Sequence, residues 1–87
     1  MDISGYVGSA LKLLRQQAKL SQEELAHRAT LDRTYISGIE RGRRNPSVAS
    51  LQLIVAALDL SLDKLFIKAR RLAERDQMTT ARTRRPN

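Results

Sequence analysis

The stretch Ser21–Arg44, SQEELAHRATLDRTYISGIERGRR, decides how this chain is read. Ser21 followed three residues later by Glu24 makes a capping box, with Leu20 and Leu25 at the two staple positions around it, so a helix is predicted to start at Gln22. The same grammar returns further on, where Asp32 can accept from the unpaired N–H groups of a new first turn and Leu31 can staple to Ile36. A second helix is predicted from Arg33 to about Arg41, with Gly42 supplying a left-handed exit. Two such short helices cannot bury their apolar faces alone. They must cross and share a core built from Leu25, Ala26, Ala29, Leu31, Ile36 and Ile39.

With Ile36 and Ile39 turned inward, Arg33, Thr34, Ser37, Gly38 and Arg41 share the opposite face at 3.6 residues per turn, and that face holds no carboxylate. It carries the groups a major-groove reader needs: arginine can fork onto guanine O6 and N7, and a threonine methyl can meet a thymine methyl. Arg33, Thr34 and Ser37 are therefore the candidate base-reading residues, with Arg33 at the end of the helix that enters the groove first. Gly38 costs about 1 kcal/mol against alanine in a helix interior. Either a side chain there would strike the groove wall, or an exposed glycine is simply tolerated. Beyond the helix, Gly42 and Pro46 break the chain. Arg43, Arg44 and Asn45 between them, with Gln22, Tyr35 and Arg41, form the candidate phosphate-holding set, which positions a protein on DNA without reading sequence. The alternatives for the loop are an arginine that reaches a base and an ordinary solvated basic turn.

The spacing of Gln22, Leu25, Ala26, Leu31, Ile36 and Ile39, with Glu40-Arg41-Gly42 behind it, is similar to the helix-turn-helix unit of phage repressor-like (Xre-type) regulators. More narrowly, LDRTYISGIERGRRNPS followed by SLQLIVAALDLSLDKLF resembles the controller proteins of restriction-modification systems, small dimeric regulators of their own operon. The resemblance spans about Leu11 to Phe66. It implies an all-α, five-helix repressor-like DNA-binding domain with the helix-turn-helix at helices 2 and 3. It also implies that Arg15 and Glu40 form a structural salt bridge; the other reading is two unrelated surface charges. Thr30 departs from the pattern, because the family usually has a turn glycine there and a threonine at positive φ is strained. The geometry of that turn is left open.

On either side the signals are plainer. Helix 1 is predicted from about Val7 to Ala18, although Gly5 and Gly8 blur its start. Helix 4 should follow the Ser47 cap with Val48, Leu51, Ile54, Val55 and Leu58 on one face, widened by Leu53, Ala56 and Ala57. Ser61 caps a fifth helix, with Asp63 in its first turn and a stripe of Leu62, Leu65, Phe66, Ala69, Leu72 and Ala73. Helix 4 thus carries more apolar surface than a monomeric outer helix needs, and helix 5 has two readings, with the first half of its stripe finishing the monomer core or packing against a second copy; the homodimer is the preferred one, with Leu62, Leu65 and Phe66 in its interface. Two-fold partners would place their recognition helices about one DNA turn apart, on an inverted-repeat operator.

At 87 residues the chain is one small domain: residues 1–76 for DNA binding and dimerisation, and a basic tail at 77–87, expected to be disordered from Met78 onward. The net charge of +7 is uneven, since residues 1–67 hold nine basic and seven acidic side chains and residues 68–87 hold seven and two. Without cysteine there is no disulfide framework, and His27 is the only histidine, so no metal set, cofactor or catalytic constellation is expected and the chain is not read as an enzyme. No apolar run approaches the roughly eighteen residues of a membrane span, and no signal core precedes the helices. The expectation is a cytoplasmic protein whose partners are double-stranded DNA and a second copy of itself, with no membrane and with RNA polymerase as an optional addition. Two rivals are an antitoxin whose outer helices mask a toxin, and an RNA-binding domain, for which Tyr35 is the only aromatic on the relevant face.

Overall fold

The structure, a computed structural model, describes residues 3–83, with side chains through residue 77. Five helices follow one another, α1 Ile3–Gln17, α2 Gln22–Ala29, α3 Arg33–Glu40, α4 Val48–Ala57 and α5 Leu62–Thr83, and there is no strand among the described residues. Side-chain caps set the middle starts. Ser21 Oγ accepts from the Glu24 N–H at 3.0 Å while the Glu24 carboxylate accepts from the Ser21 N–H at 2.9 Å, completing the capping box before α2. Asp32 accepts from the Thr34 N–H at 2.9 Å before α3, and Ser47 from the Ser50 N–H at 3.0 Å before α4. The backbone donors at Ser21 and Thr34 hold the Glu24 and Asp32 carboxyls below the ordinary carboxylate range.

These helices enclose an aliphatic core in which Leu11, Leu25, Ile36, Ile39, Ile54 and Leu65 are fully covered. Between them lie the small Ala10, Ala26, Ala29 and Ala69, where side-chain bulk would hold neighbouring helices apart. α1 packs against α3 and α5, and α2 against α3 and α4. The Tyr6 hydroxyl donates to Asp76 at 3.1 Å, which ties the beginning of α1 to the later part of α5.

Several expectations need correction. α1 begins at Ile3, ahead of Val7, and passes through both glycines. Gly8 is required by a close crossing: a Cβ there would collide with the Ile39 carbonyl oxygen and stand 3.1 Å from that of Glu40. Alanine is the better helix former by about 1 kcal/mol, yet overpacking against rigid backbone costs about 1–3 kcal/mol. Gly8→Ala is therefore expected to lower stability in urea titration. A variant as stable as the parent would show that α1 can move off α3 freely.

Thr30 answers the open question about the turn. It takes the left-handed conformation at φ 56°, and its Oγ1 donates to the Ala29 carbonyl at 2.6 Å. Lys19 and Asp59 do the same after α1 and α4, both at φ 60°. In each case the next residue, Leu20, Leu31 or Leu60, returns its N–H to the helix, to Arg15, Ala26 and Val55 respectively, and packs on the core. These are Schellman endings, and the leucine contact offsets the strain that glycine would have avoided.

Two further differences lie in the last helices. Val48, placed on the inner face of helix 4, opens that helix instead and is 65% exposed. α5 continues to Thr83, so the helix extends into the stretch expected to be disordered from Met78; Arg84 and Arg85 lie outside the described residues. Among the described residues no helix is long and apolar enough to cross a membrane.

Candidate nucleic-acid interface

α3 is two-sided. Ile36 and Ile39 are fully covered, while Arg33, Thr34 and Arg41 are exposed and Ser37 and Gly38 half-buried on the other side. The helix is held from beneath by a bidentate ion pair: Arg15 Nε donates to Glu40 Oε2 at 2.7 Å and Arg15 Nη2 to Glu40 Oε1 at 3.0 Å. The two side chains are only 11% and 3% exposed. A third donor, Arg15 Nη1, reaches the Leu20 carbonyl at 2.8 Å. Hydrogen bonding to Glu40 pushes the Arg15 guanidinium further above its ordinary value, so its charge is permanent.

Gln22 enters the same network, its Nε2 donating to Glu40 Oε1 at 3.0 Å. This internal bond has no signal in the sequence around Gln22. A carboxamide nitrogen has two hydrogens, so one remains for a phosphate. Gln22 and Arg33 line one surface hollow together with Arg15, Ser21 and Glu23, so the starts of α2 and α3 open onto the same space.

The loop after α3 doubles back over the helix. Gly42 is left-handed at φ 73°, and the N–H groups of Arg43 and Arg44 both donate to the Gly38 carbonyl, at 2.9 and 3.2 Å. The Arg44 stem thereby lies on Gly38, where a Cβ would come within 2.6 Å of Arg44 Cγ. Its guanidinium carbon sits 5.7 Å from the centre of the Tyr35 ring, within cation–π range. Neither sequence reading of Gly38 identifies this: the glycine makes room for a side chain of the same protein. Thr34, Tyr35 and Arg44 line a second hollow with Leu31, Asp32 and Ser50.

Arg43 and Asn45 are exposed beside it. The Ser4 hydroxyl donates to the Asn45 side-chain oxygen, which turns the NH2 of that carboxamide toward other acceptors. No sequence signal marks Ser4, because it lies in the turn of α1 that the glycines make unreadable.

The residues expected at an interface between copies divide. Phe66 is 43% exposed and Leu62 half-buried, but Leu65 is fully covered inside its own chain and cannot touch a partner, so its assignment is corrected to the core. Leu53 and Ile67, 46% and 39% exposed, are further apolar groups on α4 and α5. Among the described residues no three His, Cys, Asp or Glu side chains are grouped to hold a metal.

Comparison with known proteins agrees with this geometry. A helix-turn-helix family profile matches residues 11–65. Control protein C.MunI of Mycoplasma sp is 47% identical over 66 residues, 75% of this chain and 89% of that protein. The crystal structure of the restriction-modification controller protein C.AhdI from Aeromonas hydrophila superimposes with a TM-score of 0.70 at 40% identity, covering 71% of this chain and 94% of that one. The controller protein C.Esp1396I, solved as a tetramer in complex with its natural 35 base-pair operator, gives 0.75 at 38% identity, covering 82% and 93%. With five helices, the buried Arg15–Glu40 pair and an outward polar face on α3, the chain belongs to the Xre-type helix-turn-helix family of regulators and is similar to the controller proteins of restriction-modification systems.

Proposed function

We propose that this chain is a sequence-specific transcription regulator that binds an inverted-repeat operator as a homodimer in the cytoplasm and controls a restriction-modification operon. One observation carries the reading: Ile36 and Ile39 are fully covered while Arg33 and Thr34 stand exposed on the other side of the same helix. A helix so held can enter a major groove side-on with its polar face leading. Arg33, Thr34 and Ser37 read bases. Gln22, Tyr35, Arg41, Arg43, Arg44 and Asn45 hold phosphates, with Tyr35 also supporting the Arg44 guanidinium. The controller relatives support the operon assignment, and the complex of C.Esp1396I with its operator supports an oligomer on DNA.

Selection of bound duplexes from a random pool tests the proposal. It should return an inverted repeat whose half-sites lie about one DNA turn apart. Arg33→Ala should then cost about 1–3 kcal/mol on that duplex and relax preference at one base pair per half-site. An equal loss on every sequence would move Arg33 from the base-reading to the phosphate-holding set. Recovery of no enriched duplex would sink the functional reading.

A further inference from the structure

On α5, Lys64, Lys68, Arg71 and Arg75 follow one another at steps of four, three and four residues. At 3.6 residues per turn they fall within a wedge of about 60°. The carboxylates of the helix, Asp63, Glu74 and Asp76, lie outside that wedge: Glu74 pairs with Arg70 at 3.4 Å on a neighbouring flank, and Asp76 accepts from Tyr6. Among the described residues Lys64, Lys68 and Arg71 make no ion pair. Three of the seven basic residues of 68–87, Lys68, Arg71 and Arg75, are thus ordered along a helix that is docked on α1.

We propose that this stripe is a second DNA-backbone surface, gripping phosphates outside the segment contacted by α2 and α3. The inference rests on the DNA-binding reading above. From Lys64 to Arg75 the stripe covers eleven residue steps, about 17 Å of helix, which matches roughly five phosphates at 3.4 Å along one strand. It carries only donors and lies about a quarter turn from the line of Leu65 and Ala69 that faces the core. Phe66 projects from nearly the opposite side of the helix. A dimer formed through Phe66 therefore leaves the exposed Lys64 and Arg71 of both copies uncovered, and the far end of the stripe lies toward the loop after α3, since Asp76 accepts from Tyr6 near the start of α1, where Ser4 donates to Asn45.

The test uses the full chain and the duplex it recovers from the random pool, extended with neutral flanking sequence. Salt dependence of binding is compared for the parent, for K64Q/K68Q/R71Q and for the charge-keeping K64R/K68R/R71K. The slope of log affinity against log salt should become shallower in the glutamine variant by about 0.9 for each phosphate left without its cation. Its preference for the selected site over a scrambled duplex should persist, and the charge-keeping variant should match the parent. An unchanged slope in the glutamine variant overturns the proposal, as does an equal drop in both variants, which would trace the effect to structure and not charge. A parent that recovers no duplex removes the functional reading and this inference with it, whereas a parent that binds with an indifferent stripe removes only the inference.

Discussion

Glu40→Ala is expected to lower the free energy of unfolding by about 3–5 kcal/mol, the range for removing one member of a buried ion pair. The cost comes less from lost attraction than from what remains. Arg15 keeps its charge, lies 11% exposed, and would retain only the Leu20 carbonyl of its present partners. Gln22 would lose its acceptor as well, loosening the start of α2 against the end of α3. Replacing both charges by apolar side chains of similar volume, as in Arg15→Met with Glu40→Met, should recover much of the loss. Urea titration of the single and double variants checks this. A single variant costing under about 1 kcal/mol would mean that water reaches the pair and that it behaves as a surface contact.

Phe66→Asp is expected to give a folded monomer with an operator affinity about 10²–10⁴ weaker than the parent. That is the range by which linking two binding modules raises avidity over either alone. The fold should survive, because Phe66 is 43% exposed and the neighbouring Leu65, which is fully covered, is untouched. Sedimentation gives the oligomeric state, and titration on full and half operators separates the two effects: the full site should lose the cooperative gain while the half-site changes little. A variant that stays dimeric would move the interface elsewhere on α4 or α5. A monomer that still binds the full site with parental affinity would refute the two-fold mechanism.

The parts of this molecule that are legible in its sequence are those whose causes are local. Ser21, Asp32 and Ser47 announce their helices because each cap satisfies backbone donors within three residues, and Ile36 and Ile39 announce the buried side of α3 by spacing alone. Arg15–Glu40 is legible only through family resemblance, since the partners are far apart in the chain and nothing near either one names the other. Gly8 reads as a weakness of helix 1 because the carbonyl it accommodates belongs to α3. Leu65 reads as an interface residue because a stripe on α5 is the same pattern whether its cover is α1 or a second molecule. The left-handed Thr30 looks like a defect until Leu31 is seen to pack behind it.

The Arg44 stem resting on Gly38 makes mutational mapping of this surface treacherous. Any residue larger than glycine at position 38 forces the Arg44 stem to shift beneath its guanidinium over Tyr35, so impaired operator binding would follow from Arg44 whether or not the new side chain meets the duplex. A scan that scored position 38 by its phenotype alone would credit to recognition what the displaced neighbour already accounts for.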